Sequence, residues 1–257
     1  MTERPLGMIF DEAAASYHRA RPRYPAELFD ALDDAVGGLS GCRVLEIGPA
    51  TGVATEDLVS RGAVISAIEP GAALAAAWAS QFGDDVIVAG FEDVVPTEAH
   101  DLVVAATCWH WLDPDRRAQL AAEHLRVGGV LAIWSASHVF PADVDPIFDE
   151  LQHVYDEIGE GQNASFVPPT VDDLPDLSDE LVACGRYGEV TTATFQWEIR
   201  YDADGYIDLL DTFSGHLAMT DAQRARLYGE IRRRLAERPD GLLRRHWGAR
   251  LHLARRA

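Results

Sequence analysis

A short apolar run followed at once by a glycine-bounded turn and a helical pattern is the feature that most constrains this fold. Residues 44–47, Val-Leu-Glu-Ile, are typical of a strand that is buried on both faces of a parallel sheet. Gly48 and Gly52 bound the turn, and a helical repeat of apolar residues begins at Val53. Folds that open with this unit bind ligands at the carboxyl ends of their strands, beside the first turn. The sequence therefore predicts an α/β fold with a ligand site at this turn.

The spacing of small residues in the turn distinguishes between kinds of nucleotide site. A dinucleotide fingerprint requires three glycines, but Ala50 and Val53 stand at the second and third positions, so that match fails. The pattern acid-x-Gly-x-small-x-Gly fits instead, with Glu46 as the acid. It resembles motif I of the class I S-adenosylmethionine (SAM) methyltransferases. The resemblance implies cofactor contacts from the residues of the pattern, which are Glu46, Gly48, Ala50 and Gly52. The alternative is an ordinary strand-turn-helix in which the glycines serve the turn alone.

Acidic and aromatic residues follow the ends of the next predicted strands. Glu69 comes directly after the second strand, where a carboxylate can accept both hydroxyl hydrogens of a ribose. The resemblance implies that Glu69 holds the SAM ribose. It also implies that Phe91 lies along the adenine and that Glu92 or Asp93 accepts from its amine. Thr107, the last residue of the fourth strand, is expected at the same site. The alternatives are a helix-capping role for Glu69 and a plain surface turn for the others.

A stiff basic segment precedes the first strand. Residues 17–25 read Tyr-His-Arg-Ala-Arg-Pro-Arg-Tyr-Pro, and Pro22 and Pro25 exclude helix at the residues before them. A charged linker is one interpretation, although the arginine fork suits a carboxylate. The segment resembles the Y-x-x-x-R-P-x-Y-P entry of many small-molecule methyltransferases. That resemblance places Tyr17 and Arg21 on the cofactor side.

A histidine between two tryptophans ends the fourth strand. Aromatic walls with one polar donor are typical of a small-ligand pocket, and Trp109, His110 and Trp111 supply both. The cluster resembles the H-W or Q-W element of methyltransferases of the trans-aconitate and juvenile-hormone-acid type. In that group the element lines the substrate pocket, which implies that Trp109 and Trp111 bind the acceptor.

Two further histidines and a serine are expected near the same pocket. His138 follows the fifth strand, while Ser214 and His216 lie in an insertion before the last strand. His138 and His216 have the alternative of capping helices. If the acceptor is a hydroxyl, His110 or His138 could take its proton near neutral pH. If the acceptor is a carboxylate, it is already ionised and no catalytic base is required.

Strand and helix patterns alternate through the first half of the chain. Strands are predicted over residues 63–68, 86–89, 101–107 and 130–134, and a helix over 115–125 leads into the last of these. The resemblance extends over nearly the whole chain. It implies an α/β, Rossmann-like, seven-stranded class I methyltransferase sheet with helices on both faces and a helical lid inserted between the last two strands.

The expected organisation is a single methyltransferase domain over residues 1–257. Residues 1–42 form an amino-terminal cap, 43–140 the SAM-binding core, and 141–184 with 201–241 the helical lid. The implied function is SAM-dependent methyl transfer to a carboxylate or hydroxyl oxygen of a small molecule. One alternative is a SAM-binding protein that does not methylate, either a cyclase-like enzyme or a regulator. A nicotinamide dehydrogenase is disfavoured by the failed glycine fingerprint.

Composition limits the partners and the compartment. A net charge of -20, with no lysine, would repel DNA or RNA. The 3 cysteines have no metal-ligand spacing, so we expect no metal site and a reduced, cytoplasmic environment. No apolar run is long enough to span a membrane and no signal segment is recognisable. The expected partner is a small-molecule acceptor, and the oligomeric state is left open.

Overall fold

The computed structural model of the chain describes residue 18 and residues 20–161 and 167–257. The predicted cofactor residue Tyr17 lies outside the described residues. The strands are β1 (Arg43–Ile47), β2 (Val64–Ile68), β3 (Val86–Ile87), β4 (His100–Ala106), β5 (Leu125–Trp134), β6 (Ser137–His138), β7 (Tyr187–Tyr201) and β8 (Leu243–Arg256). The helices are α1 (Ala26–Val36), α2 (Val53–Ser60), α3 (Ala72–Phe82), α4 (Arg117–His124), α5 (Ile147–Glu157), α6 (Ser178–Ala183), α7 (Ala203–Leu210), α8 (Ser214–Ala218) and α9 (Asp221–Ala236).

The strands form one mixed sheet. Their order is β3-β2-β1-β4-β5-β8-β6, and β7 pairs with β8. Strands β1 to β5 pair in parallel, whereas β8 runs antiparallel to β5, β6 and β7. Helices α1 and α2 pack on one face, and α4 and α6 pack on the other. The predicted α/β, Rossmann-like sheet with helices on both faces is therefore confirmed.

Alternating apolar residues explain why the central strands are buried on both sides. Val44 of β1 packs with α1 and α2, while Leu45 and Ile47 face α4. Strand β4 follows the same alternation with Val103 on the α4 side and Val104 on the other. Because β1, β2 and β4 are parallel neighbours, their carboxyl ends lie along one edge of the sheet, where such folds bind ligands.

The sheet has 8 strands, one more than the seven that the sequence predicts. The additional strand, β6, lies in a segment predicted to be a loop. Strand β8 is 14 residues long, and it pairs with β5 only through residues 252–255. Its first half therefore extends past β5, and the backbone of β6 pairs with it there, His138 opposite Trp247. That pairing satisfies backbone groups that a buried loop would leave without partners.

Some predicted boundaries are wrong in detail. Strand β5 begins at Leu125, before the predicted residue 130, because Leu125 already pairs with His100 ahead of a register shift. Helix α4 therefore ends at His124. Strand β3 ends at Ile87, earlier than predicted. These differences arise from pairing between strands, which local residue patterns do not contain.

A group of four helices, α5 and α7 to α9, packs over the half of β8 that extends beyond β5; we call it the helical cover. Helices α7 to α9 are inserted between β7 and β8, as predicted. The cover and the sheet share an apolar cluster that includes Leu151, Ile231 and Trp247. Asp145, which is 3% exposed, accepts two hydrogen bonds from Arg238, at 2.8 and 2.6 Å, and so joins the start of α5 to the end of α9. Among the described residues, no helix combines the length and apolar composition needed to cross a membrane.

Candidate active site

A cavity of about 450 Å³ opens at the carboxyl ends of β1, β2 and β4. Most of the predicted cofactor residues that the structure describes line it, and these are Arg21, Glu46, Gly48, Ala50, Glu69, Phe91, Glu92 and Thr107. Three of the predicted acceptor-side residues, His110, Trp111 and Ser214, line it as well. Gly52 and Asp93 are not among its lining residues. The cavity therefore brings together side chains from separate stretches of the chain.

The turn after β1 owes its shape to left-handed backbone conformations. Gly48 has φ +58° and Gly52 has φ +90°, and Ala50 between them also has φ 51°. A Cβ on Gly48 would lie 2.9 Å from Cβ of Cys108, and one on Gly52 would lie 2.2 Å from the Phe82 ring. Both glycines are thus required for close packing as well as for conformation. Gly52 supports the turn from behind the cavity wall.

Glu69 is buried at the tip of β2, with 4% of its surface exposed. Its Oε2 accepts a hydrogen bond from the N–H of Ala50 at 3.0 Å. Its Oε1 accepts from the N–H of Gly71, the residue before α3, at 2.9 Å. The carboxylate therefore joins two elements at the cavity wall, and it combines the helix-capping role with a position on the cavity.

Glu46 contributes a second buried carboxyl group to the cavity and is 1% exposed. Burial raises the pKa of Glu46 to about 7, although a hydrogen bond from Thr55 opposes the rise and the nearby Glu69 charge adds to it. The Thr55 hydroxyl donates to Oε2 of Glu46 at 2.6 Å and accepts from Nε1 of Trp78 at 2.9 Å. Sequence analysis did not identify Thr55 or Trp78, because their contacts depend on how α2 and α3 pack.

The turn after β3 supplies the end wall of the cavity. Phe91 is 2% exposed, and its ring centroid lies 5.5 Å from that of His124. Glu92 lines the cavity while its Oε1 accepts from the N–H of Asp113 at 2.8 Å. Of the two acids proposed for the adenine amine, the geometry therefore favours Glu92 over Asp93.

The segment before α1 forms another part of the cavity wall. Arg21 lines it, donates to the carbonyl of Thr212 at 3.1 Å, and lies 4.9 Å from the Phe213 ring centroid. The Tyr24 hydroxyl lies 2.9 Å from Oγ1 of Thr107. The segment thus contacts both the helical cover and the end of β4.

Thr107 has an unusual backbone conformation for a β-branched residue, with φ 60°. Its N–H donates to the carbonyl of Trp134 at 2.7 Å, and its Oγ1 accepts from the N–H of Ala136 at 3.2 Å. Such strain persists only where surrounding contacts impose it, and it concentrates at ligand sites. Thr107 therefore marks the centre of the cavity wall, where β4 and β5 end.

The tryptophan-histidine-tryptophan cluster divides into two environments. His110 and Trp111 line the cavity with ring centroids 4.7 Å apart, and Trp111 is 51% exposed. Burial lowers the pKa of His110, and the charges of Arg117 and Arg21 lower it further. Trp109 is 2% exposed, and its Nε1 donates to Oε1 of Glu180 at 3.2 Å. Trp109 lines a second cavity of about 330 Å³, which it shares with His110.

His138 lies beneath the helical cover and His216 belongs to helix α8 of the cover, and neither is part of the cavity lining. The His138 ring centroid lies 5.4 Å from that of Phe213 and 4.3 Å from that of Trp247. His216 Nε2 lies 2.8 Å from the Tyr155 hydroxyl. Burial is the largest cause that lowers the pKa of each histidine, to about 4 for His216 and well below the ordinary value for His138.

The part of the chain that the structure describes contains no candidate metal-binding site. No group of three or more His, Cys, Asp or Glu side chains there is arranged to hold an ion. The expected absence of a metal site stays a prediction.

The fold and the cavity can be set beside known proteins. Residues 45–133 match the family model described as a methyltransferase domain. The chain is 30% identical over 164 residues to uncharacterized methyltransferases of Mycobacterium bovis and Mycobacterium tuberculosis. The matched region covers 58% of this chain and 66% of each relative, so it spans just under two thirds of their length.

Two solved structures share the fold along most of their length. A protein from Anaeromyxobacter dehalogenans, described as a type II methyltransferase, is 24% identical with a TM-score of 0.59, covering 91% of this chain and 97% of that one. A SAM-dependent methyltransferase from Geobacter sulfurreducens, solved with S-adenosyl-L-homocysteine, is 17% identical with a TM-score of 0.53, covering 96% and 98%.

Residues 45–133 are therefore a methyltransferase domain with the class I SAM-dependent fold, and SAM is the cofactor of that class. This confirms the class that the motifs predict. The finer resemblance to trans-aconitate and juvenile-hormone-acid methyltransferases stays a prediction.

Proposed function

We propose that the whole chain transfers a methyl group from SAM to an oxygen atom of a small-molecule acceptor. The observation that carries this proposal is that one cavity is lined by two buried carboxyl groups, by the left-handed turn, and by His110 with Trp111. SAM, when bound, supplies an electrophilic methyl group. Holding an acceptor atom in line with such a group contributes much of the rate by itself.

Several lining residues suit the two parts of the cofactor, its nucleoside and its amino-acid portion. Glu69 would accept from the ribose hydroxyls beside the turn of Gly48 and Ala50. Phe91 and Glu92 would bind the base. Arg21, at the opposite wall, would bind the carboxylate of the amino-acid portion, because an arginine fork matches a carboxylate. These assignments use groups that already line one cavity.

Other lining residues suit the acceptor. His110 is exposed at the cavity wall, and its lowered pKa favours the neutral state near pH 7, in which it can accept a proton from a hydroxyl. Trp111 and Ser214 offer an apolar wall and a hydroxyl group. Trp109, His138 and His216 stay predicted acceptor-side groups, and they lie deeper than the cavity lining. A carboxylate acceptor would need no proton transfer, so only positioning by these groups would matter.

The organisation of the chain is consistent with separate cofactor-binding and acceptor-binding parts. We propose a single domain in which residues 43–140 bind SAM, while the amino-terminal cap and the helical cover enclose the acceptor. The contacts of Arg21 with Thr212 and Phe213 join these two covering parts over the cavity. The cytoplasmic location and the absence of nucleic-acid and membrane partners stay predictions.

A radiolabel experiment tests the proposal whatever the identity of the acceptor. The protein is incubated with methyl-tritiated SAM and the low-molecular-mass fraction of a bacterial extract. We expect label in methyl esters or methyl ethers of small molecules, and a loss of roughly 10²–10⁴-fold for His110→Ala if His110 takes a proton. His153→Ala, at an exposed position of α5 outside the cavity lining, serves as the matched control. Binding of SAM without any methylated product would support the non-methylating alternative instead.

A further inference from the structure

A buried arginine without an acidic partner lies beneath the helical cover. Arg245 of β8 is 3% exposed. Among the described residues, its guanidinium group makes no ion pair, and its Nε is buried with no hydrogen-bond partner. Burying a guanidinium without a counter-charge carries a large desolvation cost. Such a group is retained where a ligand supplies the missing charge, or where packing alone offsets the cost.

The guanidinium lies against two aromatic rings that are nearly perpendicular to each other, with an interplanar angle of 80°. Its Cζ lies 4.7 Å from the ring centroid of Phe140 and 4.3 Å from that of Phe148. Phe140 follows β6 and Phe148 belongs to α5, so the group contacts residues of both the sheet side and the helical cover. Cation–π contacts offset part of the desolvation cost of the guanidinium, but they do not provide hydrogen bonds to it.

The contrast with Arg238 shows what a structural arginine looks like in the same region. Arg238 donates to both oxygens of Asp145, which also accepts from the N–H of Arg244 at 2.9 Å. Burial alone would raise the pKa of Asp145, but these hydrogen bonds outweigh it and hold the value at about 2. The nearby buried carboxylate is thus fully engaged and offers nothing to Arg245. Among the described residues, Arg245 is the only buried arginine, and it has no acidic partner although the chain carries a net charge of -20.

His138 connects Arg245 to the cavity. Side chains alternate along a strand, so Arg245 and Trp247 lie on the same face of β8, and His138 pairs directly with Trp247. His138 Nε2 is buried without a partner, as is Nδ1 of His216 on the cover. Burial, then the charge of Arg245, then that of Arg21 lower the pKa of His138. His138 is therefore within electrostatic reach of both guanidinium groups.

Phe213 separates this region from the cavity. Its ring lines the cavity, contacts the His138 ring and lies under the guanidinium of Arg21. It belongs to the connection between α7 and α8, and it is in contact with both the cavity and His138.

We propose that Arg245 and His138 form a binding site for a carboxylate carried by the methyl acceptor, at a position remote from the atom that is methylated. The inference rests on the proposed function, because it assigns a handle on the acceptor of that reaction. The Nε–H of Arg245 and, when protonated at Nε2, the ring of His138 would donate to the carboxylate, and the buried guanidinium would gain the counter-charge that it lacks. Arg245 would act as a positioning residue, and His110 would remain at the reacting end.

The test compares matched ligands and matched variants. The probes are acetate, hexanoate, benzoate and phenylacetate, each against its neutral amide, measured by calorimetry with saturating S-adenosylhomocysteine present. We expect at least one carboxylate to bind about tenfold or more tighter than its amide. Arg245→Met, similar in shape and uncharged, should abolish that preference, and Arg245→Lys should retain part of it. S-adenosylhomocysteine affinity should stay the same in all three proteins.

Thermal unfolding separates a ligand-binding role from a structural one. Arg245→Met should leave the melting temperature unchanged or raise it, because replacing a buried unpaired charge by an apolar group is neutral or stabilising. Arg238→Met should lower it by several degrees, since it leaves Asp145 buried and unpaired. The inference is overturned if wild type shows no preference for any carboxylate, if Arg245→Met keeps the preference, or if it is destabilised as much as Arg238→Met. Failure of wild type to bind S-adenosylhomocysteine would contradict the proposed function itself.

Discussion

The backbone N–H of Ala50 donates a hydrogen bond to Oε2 of Glu69 at 3.0 Å. This contact joins the turn after β1 to the tip of β2, two parts of the chain that a parallel sheet places side by side. Because Glu69 also accepts from Gly71, its carboxylate sets the positions of both the turn and the start of α3. A ligand that bridges the two strand ends would meet a carboxylate whose orientation is already fixed.

Removing this carboxylate should weaken cofactor binding. Glu69→Ala is expected to reduce the affinity for S-adenosylhomocysteine by about 1.5–3 kcal/mol, the range for loss of a charged hydrogen bond. Glu69→Gln should keep the shape of the side chain and lose less affinity for S-adenosylhomocysteine. Calorimetry on variants shown to be folded measures both values. Unchanged affinity in folded Glu69→Ala would mean that Glu69 serves the turn only and that the ribose site lies elsewhere.

The buried carboxyl group of Glu46 predicts a pH dependence of stability in the cofactor-free protein. Its pKa is about 7 in the folded chain against 4.5 for the unfolded one, so the folded state holds the proton more tightly. The resulting stabilisation, about 3 kcal/mol at most, is fully present below pH 4.5 and is lost as the pH rises to about 7.

Urea unfolding from pH 4.5 to 8 checks this, with Glu46→Gln as the reference because it keeps the shape and cannot titrate. The free energy of unfolding of wild type should fall relative to that of the variant across this range. Parallel curves for the two proteins would show that Glu46 is ionised in the folded state throughout.

The turn after β1 should respond in opposite ways to two exchanges of alanine and glycine. Ala50 adopts a left-handed conformation that costs an L-residue about 1–2 kcal/mol, so Ala50→Gly is expected to be neutral or to stabilise by up to about 1 kcal/mol. Gly52→Ala would place a methyl 2.2 Å from the Phe82 ring and should destabilise by about 1–3 kcal/mol. Thermal or urea unfolding of both variants measures the difference. A stable Gly52→Ala protein would contradict the packing described for this turn.

The two tryptophans beside His110 should differ in what they support. Trp109→Ala removes a buried side chain and is expected to cost about 3–5 kcal/mol of stability. Trp111→Ala, at a half-exposed position, should change stability by less than about 1 kcal/mol and weaken only acceptor binding. Unfolding curves and the acceptor's KM distinguish the two roles. Equal loss of stability in both variants would disagree with the placement of Trp111 on the cavity.

Glu46, Gly48 and Ala50 were named from the resemblance to a methyltransferase motif. Glu69 and Thr107 could be added because the ends of parallel strands converge whatever their separation in sequence. The Trp109–Trp111 segment could not be assigned in this way, since a 3-10 turn there directs Trp109 into the core and its neighbours to the cavity. Sequence spacing gives no orientation for such a short turn.

Contacts across the sheet and the cover were beyond prediction. The link from Trp78 through Thr55 to Glu46 depends on helix packing, and β6 forms only because β8 extends beyond β5. Arg245 could have been noticed from the alternation of side chains along β8. It places a charge on the face of the strand that also carries Leu243 and Trp247. The sequence contains the charge at an inward position, but its lack of a partner appears only in three dimensions.

The central claim is that the cavity beside Glu69 binds SAM. Calorimetric titration of the purified, folded chain with S-adenosylhomocysteine, and separately with NAD, tests it most directly. We predict saturable binding of S-adenosylhomocysteine at one site per chain, weakened by Glu69→Ala, and no measurable binding of NAD. Absence of S-adenosylhomocysteine binding, or a preference for NAD, would contradict the account.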